Sequence, residues 1–210
     1  MVIITAGGLR EKIDSVRSIV NNSTGKLGCL IAQKFACKGE SVYFLHCENV
    51  TPPPGVTSIL IKDILTLEKE VESLLKTNVK AFIHAMAVSD YSVGGIYENG
   101  VIKPIESKID SSEELLLLAL KKNKKIISII KEINKNVILV GFKLTENKTE
   151  EERIEIANFQ AIKNNCDYVL VNDITEIKGD MHKAILINKD KHYYLSSKEE
   201  IATKIVEVIL

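Results

Sequence analysis

Between Ile3 and Gly28 the chain reads I-I-T-A-G-G-L-R-E-K-I-D-S-V-R-S-I-V-N-N-S-T-G-K-L-G. A short apolar run is followed by about twenty polar, Gly-containing residues and then by helical spacing that begins near Gly25, a strand, long loop and helix start suited to a phosphorylated ligand. Strand-to-helix loops in α/β units usually take about 2–6 residues, so one this long, rich in Asn, Ser, Thr, Arg and Gly, points to function more than to connection.

The spacing excludes the two common nucleotide loops. A P-loop requires Gly where Val20 stands, and the dinucleotide fingerprint requires Gly where Ser23 stands. What remains is Asn21-Asn22-Ser23-Thr24-Gly25-Lys26 at a helix start. There, side-chain oxygens can cap backbone N–H groups, or free donors and Lys26 can hold an anion. Asn21 on spacing alone reads first as a turn residue. Arg17 can bind phosphate or pair with Asp14, and the pairing is the simpler reading.

Apolar runs and helical stretches then alternate. Strands are expected at Val2–Thr5, Ser41–Leu45, Thr57–Ile61, Ala81–Ala85, Val137–Phe142 and Tyr168–Val171, with helices near Gly25–Lys38, Leu65–Leu75, Lys124–Ile133 and Thr149–Asn165. A hairpin over Lys183–Asn188 and His192–Leu195 and an amphipathic helix at Lys198–Ile209 close the chain. Residues 92–112 lack a clear period and read as a long flexible loop, mobile or exchanged between subunits, with order resuming over Glu114–Leu120. The pattern predicts one α/β domain over residues 1–210, a Rossmann-like three-layer αβα arrangement with a mostly parallel sheet and a small C-terminal hairpin. In such sheets ligands gather beyond the C-terminal strand ends, where Thr5, Ala85 and Phe142 all fall.

Composition narrows the partners. Twenty-eight basic and 28 acidic residues cancel, so no nucleic-acid footprint is visible and a small-molecule partner is expected. Cys29, Cys37, Cys47 and Cys166 have no C-x-x-C spacing and read as small apolar residues in a reducing compartment. His46, His84, His182 and His192 have no metal-ligand spacing, so no protein metal site is expected. The longest apolar run, Leu115–Leu120, is far shorter than the roughly 20 residues of a membrane span, and Met1 leads straight into a strand without a signal-peptide pattern. A soluble cytoplasmic protein is expected.

Thr5, Gly7, Gly8, Glu11, Ile13, Asp14, Val16, Arg17, Ile19, Asn21, Ser23, Gly25, Lys26 and Gly28 resemble the opening signature of the phosphopantothenoylcysteine synthetases, also called phosphopantothenate cysteine ligases, of coenzyme A biosynthesis. Later landmarks follow in the family's order. Ala87-Val88-Ser89-Asp90-Tyr91 resembles its A-V-A-D-Y turn, Ser107-Lys108-Ile109 its Lys-Ile loop, Gly141-Phe142-Lys143-Leu144 its G-F-K-L-E-T segment, and Val171-Asn172-Asp173 its A-N-D.

The resemblance implies that 4′-phosphopantothenate is activated by a nucleoside triphosphate, CTP in preference to ATP, as an acyl nucleotide that cysteine then opens, with magnesium accompanying the triphosphate. Asn21 and Lys108 would be catalytic. Gly7, Gly8, Ser23, Thr24, Gly25 and Lys26 would serve the substrate. Ala87, Ser89, Asp90, Lys108, Phe142 and Lys143 would serve the nucleotide. It also implies a homodimer, and a stand-alone synthetase without flavin whose decarboxylase neighbour is a separate chain.

Two departures stand out. Gln160 and Asn164, with Lys163 adjacent, occupy the places of two helix lysines of the bifunctional relatives, and Thr145-Glu146 reverses the family's Glu-Thr. Competing readings are a Rossmann-like NAD(P) oxidoreductase, which would need the glycine fingerprint and a Tyr-x-x-x-Lys pair where Tyr91 is followed by Gly95, and an inactive nucleotide-binding module.

Overall fold

The structure, a computed structural model, describes residues 1–110, 114–179 and 181–210. Its first strand, β1 (Val2–Gly8), is buried along its whole length. A continuous apolar run with no polar alternation needs cover on both faces, which is the environment of a central strand in a parallel sheet. β1 accordingly lies between β4 (Val42–His46) and β6 (Ala81–Ala87), parallel to both. Beyond β4 lies β5 (Thr57–Leu60), and beyond β6 lie β10 (Ile138–Thr145) and β11 (Tyr168–Lys178), all parallel. The antiparallel pair β12 (Met181–Ile187) and β13 (His192–Ser197) completes an eight-stranded sheet ordered β13-β12-β11-β10-β6-β1-β4-β5. The predicted αβα fold with its C-terminal hairpin is thus the observed one.

Alternate residues of β1 feed opposite cores. Ile4 and Ala6 join Ile31 and Phe35 of α1 (Lys26–Cys37) and Ile201 and Ile205 of α5 (Lys198–Ile209). Ile3 joins Leu67 and Val71 of α2 (Ile64–Leu75) and Ile126 and Ile130 of α3 (Ile126–Ile133). On that second side α4 (Glu150–Asn164) places Ala157 against Val169, Val171 and Ile185. The helix starts are written locally. Thr149 and Glu152 form a capping box for α4, Asp63 caps α2, and Ser197 caps α5.

Two stretches depart from the sequence expectation. The long first loop contains a small antiparallel pair, β2 (Arg10–Lys12) with β3 (Ser18–Val20). Residues 92–112, read as an aperiodic loop, instead begin as a strand. β7 (Tyr91–Glu98) pairs with β8 (Val101–Lys103) and with β9 (Leu118–Lys122) in a separate three-stranded sheet. The turn is Asn99-Gly100, both with positive φ, and Glu98 faces Val101 across it. Asn-Gly is the strongest short hairpin signal, and here it outweighs the missing alternation. The alternation is missing because Val101, Ile102, Leu117 and Leu120 are all exposed in the single chain, so no face is marked as inner. Residues 111–112 of the expected loop, with Glu113, lie outside the described residues.

Candidate functional site

The strand order reverses at β1. From there the chain builds outward through β4 and β5, then returns to the other side of β1 with β6. The C-terminal edge of this switch point is the natural ligand crevice of an open α/β sheet. A cavity of about 1480 Å³ lies there, between the Asn21–Lys26 loop after β1 and the His84–Asp90 segment at the end of β6. Phe142 and Lys143 of β10, the start of α3, one side of α4, and Asn172 and His182 of the β11–β12 pair complete its wall.

Ten of the residues singled out in the sequence meet in this cavity: Asn21, Ser23, Thr24, Gly25, Lys26, Ala87, Ser89, Asp90, Phe142 and Lys143. Three do not line it. Lys108 is exposed on the segment between β8 and β9. Gly7 and Gly8 are buried behind the loop, where their missing side chains make room for the chain itself. A Cβ on Gly8 would lie 2.0 Å from the Asn21 carbonyl oxygen, so Gly8 is what allows the Asn21 loop to fold back over β1.

The helix behind the loop is started by Gly25, not by Thr24. Gly25 is the N-cap, with φ +69°, and no side chain caps the helix there. Its backbone packs onto Val50, whose Cγ2 would be 2.5 Å from an added Cβ. Thr24 Oγ1 accepts only a long bond, 3.5 Å, from the Lys26 N–H. Apart from that long bond no side chain caps the start of α1, whose first residues line the cavity, an arrangement that favours an anion. The loop itself is held by Asn49, whose Nδ2 donates to the Ser23 carbonyl at 3.2 Å, and by the Ser23 N–H, which donates to the Asn21 carbonyl at 2.9 Å.

The lining is electropositive. It contains Lys26, Lys124, Lys125, Lys143, Lys163 and Lys198, six lysines, against the two acids Asp90 and Glu155. Low-dielectric walls with one dominant sign concentrate an oppositely charged ligand. Asp90 faces Lys125, with Oδ1 3.4 Å from Nζ.

Two histidines in the wall are neutral. Thr5 Oγ1 accepts the Met86 N–H at 3.2 Å and shares a hydrogen bond of 2.9 Å with His84 Nδ1, which fixes the orientation of the ring. Burial pulls the His84 pKa down to about 4. His182 takes the Asn172 amide through Nε2 at 3.1 Å, its Nδ1 is buried without a protein partner, and burial reinforced by Lys198 lowers its pKa to about 4.

Positions that seemed ambiguous in sequence acquire definite contacts. Gln160 donates to the Phe142 carbonyl at 3.3 Å, and Asn164 donates to the Gln160 carbonyl at 3.1 Å, so both tie α4 to itself or to β10. Lys163 instead lies over the Phe159 ring, 5.7 Å from its centroid. Asp173 is an internal hub. It accepts from Thr145 Oγ1, from the Asn147 and Lys148 N–H groups and from both polar groups of Thr175, which hold its carboxyl well below the usual range. Arg17 pairs with Asp14, at 3.6 Å, as the simpler reading had it. Cys47 and Cys166 are pushed up by burial to about 11 and about 12, the behaviour of packing residues.

Sequence reasoning passed over Lys124, Lys125, Lys198, Asn172 and His182 as cavity residues. A signal existed for the lysines: Lys124-Lys125 immediately precedes α3, and Lys198 follows the Ser197 cap of α5, so all three stand at helix starts near strand ends.

A model of the DNA/pantothenate metabolism flavoprotein C-terminal domain matches residues 1–210. The chain belongs to that family. A coenzyme A biosynthesis bifunctional protein CoaBC of Methanocaldococcus jannaschii is 32% identical over 214 residues, which covers 99% of this chain and 50% of the relative. The chain thus spans about half the length of the curated relatives it matches. The crystal structure of the DNA/pantothenate metabolism flavoprotein from Streptococcus pneumoniae is 35% identical and superposes with a TM-score of 0.92, covering 99% of this chain and 97% of that one. A Cab2 mutant in complex with phosphopantothenate-cysteine shares the fold, with a TM-score of 0.76 and 18% identity over 99% of this chain and 85% of that one.

Proposed function

We propose that this chain is a phosphopantothenate cysteine ligase. The observation that carries the reading is the convergence of the Asn21–Lys26 loop, the β6 end and the β10 end on one lysine-rich cavity at the sheet's switch point, in a chain that matches the pantothenate-metabolism family throughout. A phosphorylated acid and a nucleoside triphosphate are both polyanions, and the six lysines and the open start of α1 suit them.

The carboxylate of 4′-phosphopantothenate attacks the α-phosphorus of the nucleotide, an acyl nucleotide forms and pyrophosphate leaves. The amine of cysteine then attacks the acyl carbon, the amide forms and the nucleoside monophosphate leaves. Neither step calls for a buried base. Positioning and charge stabilisation by fixed donors supply most of the acceleration. In this reading Asn21 steadies the acyl oxygens, the α1 start with Ser23, Thr24 and Lys26 holds phosphoryl oxygens, and Ala87, Ser89, Asp90, Phe142 and Lys143 receive the nucleotide. His84, held neutral by burial, adds a polar group to the wall without adding charge.

Magnesium is proposed to enter as part of the nucleotide complex. Among the described residues no group of three or more His, Cys, Asp or Glu could hold a metal ion, so most of its oxygen ligands would be phosphoryl oxygens. CTP is the proposed nucleotide, in preference to ATP. No helix among the described residues is long and apolar enough to cross a membrane, and we place the reaction in the cytoplasm, where a decarboxylase would consume the product.

The test is pyrophosphate release by the purified chain with magnesium and 4′-phosphopantothenate, comparing CTP with ATP, with and without cysteine. Cysteine-dependent turnover that is faster with CTP is expected. Turnover with ATP that equals or exceeds CTP would reverse the nucleotide assignment, and no release with either would remove the ligase reading.

A further inference from the structure

The turn between β2 and β3 grips a segment almost a hundred residues away. Asp14 Oδ2 accepts the Ile109 N–H at 3.1 Å, and Arg17 Nη2 donates to the Ile109 carbonyl at 3.2 Å. Both backbone groups of one residue are therefore held by one side-chain pair. The pair is itself organised: Asp14 Oδ1 accepts the Val16 and Arg17 N–H groups, each at 2.8 Å, and Oδ2 lies 3.6 Å from Arg17 Nη1. The Asp14 side chain is fully enclosed, with 0% exposure.

Ile109 directly follows Lys108, and Arg17 runs through β3 into Asn21. Four residues of extended chain cover about 13 Å, so the same turn is tied at one end to Lys108 and at the other to Asn21. We propose that the Asp14–Arg17 turn is a positioning device that fixes the Lys108 loop relative to Asn21, with Asp14 as its central residue. The proposal rests on the ligase reading, in which both lysine and asparagine act on the reacting groups.

Core stability does not explain the contact. None of the residues from Arg10 to Thr24, nor of the described residues from Pro104 to Leu117, belongs to a hydrophobic cluster of the protein, and β3 is exposed at every position. An enclosed carboxylate that takes three backbone N–H groups, joining two segments that share no apolar core, determines location. Charge-assisted bonds of this kind are short and more directional than apolar contact, which is what holding one lysine in place requires. The N–H groups also keep the Asp14 carboxyl below its usual range, so the grip persists in mild acid.

The test combines exchange with kinetics in the full chain. Asp14→Ala, Asp14→Asn, Lys108→Ala and the Asp14→Ala/Lys108→Ala double variant are compared with wild type by amide hydrogen exchange at Ile109 and by cysteine-dependent pyrophosphate release. The expected result is loss of Ile109 protection in both Asp14 variants and a fall in kcat on the order of 10–100-fold, with the KM for phosphopantothenate changed by less than about two-fold. The double variant should be no slower than Lys108→Ala alone, because a lysine that is absent cannot be mispositioned. Asp14→Asn keeps the side-chain volume and serves if the alanine variant does not fold. Unchanged Ile109 protection, or fold-losses that multiply in the double variant, would overturn the proposal while leaving the ligase reading intact. A wild-type chain without turnover would remove the ligase reading, and the catalytic meaning of the turn with it.

Discussion

At the residue scale the proposed ligase chemistry rests on donors held at fixed points, and Asn21 is the residue that tests it most directly. It lies on a loop fastened by Asn49 and by the Ser23 N–H, so truncating its side chain leaves the loop's own bonds in place. Asn21→Ala should lower kcat by roughly 10²–10³-fold, about 2.7–4 kcal/mol of transition-state stabilisation, while the melting temperature stays close to wild type. A pyrophosphate-release assay beside a thermal melt reads both. The neutral histidines make a separate prediction about pH. His84 and His182 have folded pKa values of about 4 against an ordinary value of 6.5. Between those values the unfolded chain binds protons that the native chain refuses. Their contribution to stability is therefore complete above pH 6.5 and is lost as the pH falls toward 4. Thermal melts from pH 7.5 to 5 should show the decline beginning near 6.5. Replacing His182 by Gln should flatten it.

At the scale of elements, the β1–α1 connection is built around close approaches that only glycine permits. Gly8→Ala would drive a Cβ into the Asn21 carbonyl, and relief requires the loop to lift from β1. We expect a loss of turnover near 10²-fold, the size associated with misplacement of about 1 Å, exceeding the loss expected from destabilisation alone. Titration of the nucleotide against the variant, followed by calorimetry, distinguishes a displaced loop from an unfolded protein. Most elements here were legible in sequence because they obey one local rule each: β1 as an unbroken apolar run, α4 through Thr149 and Glu152, α5 through Ser197 and its buried stripe Ile201, Ile205 and Ile209. β7 to β9 were not legible, since a sheet with apolar residues exposed on it offers no inside-outside alternation, and only Asn99-Gly100 betrayed the turn.

At the scale of the whole molecule that small sheet remains to be accounted for. Tyr97, Val101, Ile102, Leu117 and Leu120 are 46–59% exposed on it, a concentration of apolar surface that a solitary soluble chain rarely carries. We propose that a second copy of the chain packs on this small sheet, in agreement with the homodimer that the family resemblance implies. Light scattering should return twice the 23.4 kDa chain mass, and Ile102→Glu, which places a charge on the covered sheet, should shift the particle toward the monomer. A wild-type monomer with full turnover would refute the assignment. The same scale explains the electrostatics: a chain whose formal charge is zero nevertheless gathers six lysines and two acids around one cavity.

The sequence by itself determined the fold class and the order of the sheet-forming and helical segments, because periodicity and local spacing act over a few neighbouring positions, and its resemblance to the family singled out ten residues that reach the cavity. It also marked Gly8 without its task. Tertiary structure alone decided that Gly8 yields space to Asn21, that Gln160 bonds to β10, that Asn172 and His182 join the wall with Lys198, and that Asp14 and Arg17 hold Ile109. Each of these is a contact between residues 10 to 95 apart in the chain. Such contacts arise only when strand order and helix packing bring distant segments together, and no local pattern in the chain encodes which of them will meet.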